Sequence, residues 1–223
     1  KLRKSFKTAF IQLMILYMVL PRKINFTQMG RYSDSSEQRF RQLFEREFDW
    51  TQFNLFLMRQ RFGESVRKAI AIDASYISKS GKKTPYIGKF WSGCASQVKR
   101  GLEILGIGIV DIDSRDCMML RAEQTPDKAY LEKQGEDYNL VDWYLDVLRK
   151  YKDKLLGITR YVVADAWFSK AKFVNDACLM GFHVISRLRD DAALWYSHNG
   201  VRTGKRGRPR IKGEKIDFEK LDL

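Results

Sequence analysis

Two short apolar runs, each stopped by an aspartate, constrain this chain more than any other feature. Ala69-Ile70-Ala71-Ile72 runs into Asp73, and Tyr161-Val162-Val163-Ala164 runs into Asp165. A continuous apolar run of this length reads as a strand buried on both faces. A carboxylate directly behind such a strand is costly unless something pairs with it. The same costly arrangement therefore occurs twice, 92 residues apart.

The segments around these runs fix the fold class. Leu102–Val110 and Cys117–Ala122 read as two further strands, and short polar links such as Asp113-Ser114-Arg115 let the first three pair as an antiparallel meander. Thr125-Pro126 reads as a helix start. Leu140, Tyr144, Leu148 and Tyr151 lie on one stripe of a helix that ends at Gly157. Ser169 reads as the cap of another helix, with Phe173, Val174, Ala177 and Cys178 inward and Gly181 as its stop. Phe182–Ser186 reads as a fifth strand. The order β-β-β-α-β-α-β predicts an α/β fold, a ribonuclease-H-like mixed five-stranded sheet with flanking helices. Residues 1–66 read as a small helical domain in front of it, residues 67–198 as the core, and residues 199–223 as a basic tail.

In the helical part, Ser35 and Gln38 have capping-box spacing, and Phe40, Leu43, Phe44 and Phe48 follow on one helical face. Thr51 reads as the cap of a helix that carries Leu55, Phe56 and Phe62 and stops at Gly63. Two short helices with a basic outer surface fit either a helix-turn-helix-like DNA reader or a helical lid with a solvated basic face.

Charge points to a polyanion. The chain carries 41 Lys and Arg against 27 Asp and Glu, a net charge of +14. Residues 1–68 account for +8, residues 199–223 for +4 and the middle for only +2. That distribution suggests flanks that grip DNA, RNA or an anionic membrane surface around a core that does the chemistry. The apolar run Ala9–Leu20 is too short to span a bilayer and reads as a buried helix. Cys94, Cys117 and Cys178 have no metal-ligand spacing and read as reduced, mostly buried thiols of a cytoplasmic protein. No nucleotide-binding Gly-rich loop and no GxSxG are present, and His183 and His198 have no partners at triad or ligand spacing.

In the expected sheet the first and fourth strands are parallel neighbours. Asp73 and Asp165 then emerge at the same sheet end, where open sheets bind ligands. Two hard oxygen ligands so close repel, and a divalent cation relieves the repulsion; Mg²⁺ suits such a site. Each Asp also has a simpler reading as a strand-end cap. Arg187 and Arg189, following the fifth strand, read as DNA-backbone contacts near this edge. Trp167 could stack on an unpaired base, but packing under the sheet end is the stronger reading. Lys79, Lys82 and Lys83, with Ser75 and Ser78, could hold phosphate, and more simply form a solvated hairpin. Lys205, Arg206, Arg208 and Arg210 form a basic cluster. Its Arg-Gly-Arg-Pro core resembles a minor-groove hook, though a solvated linker that binds phosphates without sequence preference is the stronger reading.

Three stretches carry a family resemblance: Ala71-Ile72-Asp73-Ala74-Ser75, Lys99-Arg100-Gly101-Leu102-Glu103, and above all Val162–Arg189 with Val163-Ala164-Asp165-Ala166-Trp167-Phe168 and Val184-Ile185-Ser186-Arg187-Leu188-Arg189. They resemble the bacterial insertion-sequence transposases with a DDE catalytic triad. The resemblance implies that Asp73 and Asp165 are the first two metal-binding acids. It implies Mg²⁺ or Mn²⁺ as cofactor and double-stranded DNA as partner, both the terminal repeats of the element and its target. It also implies a homodimer on DNA, no membrane association, and a place in the bacterial cytoplasm at the nucleoid. The family's third acid is a Glu in a Tyr-x₂-Arg-x₃-Glu-x₆-Lys helix, and no such spacing occurs here. Asp190 and Asp191 follow the fifth strand directly, and Glu214 and Glu219 lie in the basic tail. Residues 199–223 resemble the start of the β insertion that precedes the Glu helix. The expectation is a chain truncated before its third acid, which binds DNA and cleaves it little. Two rivals remain: a catalytically inactive DNA-binding remnant, and another ribonuclease-H-like nuclease such as a resolvase.

Overall fold

The computed structural model describes residues 3–21, 24–63, 67–81, 83–189, 192–200 and 211–217. The chain divides at Gln52 into two compact units.

The first unit is helical: α1 (Lys4–Val19), α2 (Phe26–Arg31) and α3 (Glu37–Phe44). The expected buried helix is α1: Ala9, Leu13 and Leu16 are its buried residues, and Leu13 and Leu16 share a core with Leu20, Met29 and Phe40. Only that stripe is covered, since Ile11, Ile15 and Met18 on the other side are exposed. Asn25 caps α2 by accepting the Gln28 N–H at 2.9 Å. Helix α3 is capped by Ser36, which accepts the Arg39 N–H at 3.3 Å, instead of Ser35. The Ser35 hydroxyl is drawn away to donate to Gln12 Oε1 at 3.1 Å. Among the described residues no helix is long and apolar enough to cross a membrane.

Helix α4 (Trp50–Phe62) starts one residue before Thr51, and the Asp49 carboxylate accepts the Gln52 N–H at 2.9 Å. It ends at Gly63, whose φ of +55° favours glycine. Leu55, Met58 and Phe62 belong to the core of the second unit, and Phe56 stays exposed.

The second unit is built on β1 (Lys68–Ser78), β2 (Gly88–Ser92), β3 (Gln97–Asp111), β4 (Asp116–Gln124), β5 (Tyr161–Ala164) and β6 (His183–Ser186). All five expected strands are present, and β2 is a sixth. The hydrogen-bonded order is β2-β3-β1-β5-β6, with β4 also on β3. β2 pairs with residues 97–101 of β3 and β4 with residues 104–111, so both lie along the edge of β3 away from β1. β1 is antiparallel to β3 and parallel to β5, and β5 is parallel to β6. This is the mixed, ribonuclease-H-like sheet that the sequence order predicts.

The connecting helices α5 (Lys128–Gln134), α6 (Leu140–Leu156) and α7 (Ala171–Leu179) follow from the sequence, with shifted caps. Asp127, not Thr125, caps α5, accepting the Tyr130 N–H at 2.9 Å. The backbone N–H of Thr125 is held instead by the Glu103 carbonyl at 2.9 Å. Asn139 and Asp142 form a reciprocal capping box on α6. Ser169 does not cap α7: its hydroxyl donates to the Ala166 carbonyl at 2.7 Å. Gly181 ends that turn with φ +97°.

Tyr144, Leu145, Leu148 and Leu155 of α6 and Phe173 and Ala177 of α7 share one core with Ile70, Ile72, Leu105, Ile107, Ile109, Val162 and Ala164. By strand alternation these sheet residues all point to one face. On the other face Val163, Tyr161, Ile185 and Met119 are 38–56% exposed. The Ala-Ile-Ala-Ile run is therefore covered fully on its isoleucine side. On the other side Ala69 is buried and Ala71 half-buried. All three cysteines are exposed, contrary to expectation. Cys178 follows Ala177 around the helix and leaves the inward stripe that Phe173 and Ala177 fill.

Gly101 of β3 leaves no room for a side chain beside β1. A Cβ there would lie 2.4 Å from the Ile77 carbonyl oxygen and 2.5 Å from the Tyr76 ring, whose hydroxyl donates to the Arg100 carbonyl at 2.7 Å. Gly101→Ala is expected to cost about 1–3 kcal/mol, because a backbone carbonyl cannot swing aside. A lowered urea midpoint at unchanged m-value checks it.

Glu123 on β4 faces Tyr151, Lys150 Nζ at 3.1 Å and Arg121 Nε at 3.1 Å. Burial pushes its carboxyl up, but the Tyr151 and Lys150 hydrogen bonds and the nearby cations together hold it below its ordinary value. A lowered folded value means that ionised Glu123 stabilises at neutral pH and that this share is lost as pH falls through the folded value. The stability gap between wild type and Glu123→Gln is therefore expected to be widest near pH 7. It should shrink below about pH 4, which melts at both pH values would read.

Candidate active site

β1 continues to Ser78, so Asp73 does not end the strand; it ends the part of the strand that has β5 beside it. The last β1–β5 pair is Ile72↔Ala164. Asp73 and Asp165 are each the next residue after that pair. Neighbouring strands lie about 4.8 Å apart, so the two backbones leave their shared ladder side by side. Ala71 pairs with Val163 on the open sheet face, and two residues on, Asp73 and Asp165 (extended, φ −70°, ψ 175°) keep that face.

The local chemistry of the two differs. Asp165 caps a 3-10 turn, Ala166–Phe168, by accepting the Trp167 N–H on Oδ1 at 3.0 Å. The simpler reading of a capping Asp is thus realised, and the capping bond occupies only one carboxylate oxygen. The Ser186 hydroxyl on β6 donates to the Asp165 carbonyl at 2.7 Å and ties the neighbouring strand to this turn. Asp73 has its carboxyl pushed above the ordinary value by desolvation. The Ala74 N–H opposes this, and the negative charge of Asp165 adds to it. That repulsion places the two carboxylates within each other's field.

Beneath the pair the wall is aromatic. Trp167 stacks edge-on against Tyr144 at 5.4 Å and Phe168 at 5.1 Å between ring centroids. Trp167 packs against the core, in line with its stronger reading. Lys170 Nζ sits 3.5 Å over its ring, and burial together with the Arg189 cation lowers the Lys170 ammonium. The Tyr144 hydroxyl donates to the buried Glu103 carboxylate at 2.6 Å, and burial followed by the Glu103 charge raises the phenol above its ordinary value.

Arg187 and Arg189 follow β6, and the positive field of Arg189 reaches Lys170, the residue that leads into α7. Lys205, Arg206, Arg208 and Arg210 lie outside the described residues, as do Asp190, Asp191 and Glu219. Glu214 is on an exposed strand, β8 (Lys212–Lys215), which pairs with β7 (Trp195–Ser197) in a separate two-stranded sheet. Among the described residues no three His, Cys, Asp or Glu are grouped closely enough to hold a metal ion. Sequence reading misses Ser186, Lys170 and the Tyr144–Glu103 pair. The signal available for the last is a lone Glu in an apolar strand, facing a Tyr on an apolar helix stripe.

No curated protein matches the chain. Among solved structures, similarity extends to endonuclease V of Ciona intestinalis, bound to a 23-mer DNA containing an inosine. It is 10% identical over 68% of this chain and 58% of that one, with a TM-score of 0.31. The Mos1 transposase paired-end complex with the left transposon end is 12% identical over 82% and 59%, with a TM-score of 0.28. The Mos1 strand transfer complex is 11% identical over 86% and 61%, with a TM-score of 0.31. The chain spans less than two thirds of the length of each of these proteins. The family model described as "DDE superfamily endonuclease" matches residues 15–222, nearly the whole chain, and the protein belongs to that superfamily.

Proposed function

We propose that the protein is a DNA transposase that cleaves and joins strands at the ends of an insertion sequence by metal-dependent phosphoryl transfer. The observation that carries this reading is the register of Asp73 and Asp165, one residue past the Ile72↔Ala164 pair and on the same open face. Two carboxylates in each other's field, one of them raised by desolvation and by its neighbour, form a donor set that a hard divalent cation neutralises. Mg²⁺ or Mn²⁺ would be held by Asp73 and by the Asp165 oxygen that the Trp167 N–H does not use. Bound there, the ion would polarise the phosphate and favour the ionised form of the attacking hydroxyl.

The chain's own residues do the rest. Asp73 and Asp165 fix where the reacting phosphate sits. The Ser186 hydroxyl and the Trp167 N–H hold Asp165 in place. Arg187 and Arg189 contact the DNA backbone beside the pair, and Lys205, Arg206, Arg208 and Arg210 add sequence-independent phosphate contacts. In the first step water attacks a phosphodiester at the element's end and releases a 3′-hydroxyl. In the second, that hydroxyl attacks a phosphodiester of target DNA and displaces a 3′-oxygen, so one bond forms for each that breaks. The partners are the terminal repeats and target DNA, held by a homodimer in the bacterial cytoplasm at the nucleoid.

The test is strand cleavage of duplex DNA carrying an element end, with Mg²⁺ or Mn²⁺ and with EDTA, by the chain and by its Asp73→Asn, Asp165→Asn double variant. Weak metal-dependent cleavage that the double variant lacks is the expected result, since no third acid is grouped with the pair among the described residues. Equal cleavage by both would remove the reading.

A further inference from the structure

The near-neutral middle of the chain conceals a segregated charge. Residues 74–102 hold six basic residues, Lys79, Lys82, Lys83, Lys89, Lys99 and Arg100, and no acidic one. The remainder of residues 69–198 holds 13 basic and 17 acidic residues. The structure gathers part of this segment into a two-stranded ribbon. β2 pairs with the first five residues of β3 through Lys89↔Arg100 and Trp91↔Val98. One side of the ribbon is anchored, with Phe90 and Ser92 buried. The other side presents exposed Lys89 and Arg100, with Trp91 60% and Val98 57% exposed.

That presented side is the face of Asp73. Along β3, Arg100, Leu102, Ile104 and Gly106 alternate onto one face, and Gly106 is the partner of Asp73. Six residues of strand separate Arg100 from Gly106, about 20 Å at the rise of a β-strand. Duplex DNA rises about 3.4 Å per base pair, so 20 Å is about six base pairs. The ribbon root is rigid, because the Tyr76 ring closes over Gly101 and its hydroxyl holds the Arg100 carbonyl.

We propose that the β2–β3 ribbon is a duplex-DNA contact that grips the substrate about six base pairs from the phosphate at the Asp73–Asp165 pair. The chemistry selects the partner. Two cations on adjacent strands match successive phosphates, and a two-stranded ribbon fits a DNA groove. An exposed indole beside the two cations covers its apolar face by stacking on a sugar or base. The distance rests on reading Asp73 and Asp165 as the cutting centre; the contact itself does not.

The test uses the full 223-residue chain and a fluorescein-labelled 30-base-pair duplex, read by anisotropy across a salt series. Lys89→Ala with Arg100→Ala is expected to weaken binding about 10-fold and to flatten the log–log salt slope by about 2, near 0.9 for each phosphate that is left without its cation. Trp91→Ala is expected to weaken binding about 5- to 10-fold at unchanged slope. Unchanged affinity and slope in both variants would overturn the proposal. A second measurement uses Cys94, exposed in the turn between the two strands. With Cys117→Ser and Cys178→Ser, iron-EDTA tethered to Cys94 should cut the bound duplex. The same reagent on Cys178 alone, on the helix that covers the opposite sheet face, should not. No cutting from Cys94, or equal cutting from both, would also overturn it. Asp73→Asn separates the two readings. If strand cleavage survives that change, the cutting-centre reading falls while the ribbon's salt slope and tethered cutting still stand.

Discussion

Asp165→Asn is expected to leave DNA affinity within about twofold of wild type and to lower metal-dependent strand cleavage by about 10²–10³-fold. The amide oxygen can still accept the Trp167 N–H that now caps the 3-10 turn at 3.0 Å, so the local fold survives. What disappears is the negative charge that a divalent ion needs. Losing a few kcal/mol of transition-state stabilisation corresponds to that rate factor. Asp73→Asn should act alike on cleavage. It also removes a carboxylate that desolvation and Asp165 disfavour, so the folded protein should be no less stable. Gel assays of cleavage with Mg²⁺, beside anisotropy and urea unfolding of the same variants, check all three. Cleavage within tenfold of wild type in either variant would show that the pair is not the cutting centre.

Phe168→Ala is expected to destabilise the second unit by about 3–5 kcal/mol, the range for emptying a large aromatic site in a core. Phe168 is 2% exposed and sits among Tyr144, Trp167 and Phe173, with ring centroids at 5.3, 5.1 and 5.1 Å. Its backbone N–H also bonds the Asp165 carbonyl at 3.1 Å. The residue is therefore both a core plug and the floor of the turn that carries Asp165. Urea unfolding followed by tryptophan fluorescence should show the lower midpoint. Cleavage measured where the variant is still folded should fall as well, because Asp165 loses the packing that orients its turn. A loss of stability below about 1 kcal/mol would contradict the tight packing.

How much of this is legible in the sequence depends on what each residue has to compete with. Asp73 and Asp165 stand out because a carboxylate behind an apolar run is costly and here occurs twice at matching positions, and their strand pairing follows from element order. β2 does not stand out. Gly-Lys-Phe-Trp-Ser is short, and its buried side is only Phe90 and Ser92. Helix ends are legible, but the caps expected at Ser35, Thr51 and Thr125 move by one or two positions. Each time a polar neighbour has the better geometry, and spacing alone cannot choose between adjacent oxygens. Cys178 is exposed for a similar reason: it misses the inward stripe by one position. Whether a strand is covered on one face or both is likewise invisible when its second face is alanine and glycine.

The ladder that brings Asp73 beside Asp165 has a consequence for how the chain comes together. Pairs between β1 and β3 join residues at most 43 apart in sequence, as in Lys68↔Asp111, and β5 and β6 join residues 22 apart, as in Tyr161↔His183. Ile72↔Ala164 joins residues 92 apart. Loop-closure entropy grows with the length enclosed, and parallel pairing is rewarded only after a crossover helix has formed. The antiparallel hairpins can close on local contacts alone, whereas the two carboxylates meet only after α6 has docked and β5 has found its place. Asp73 and Asp165 therefore come together at the seam of longest range in the sheet, the join that forms on top of its local hairpins.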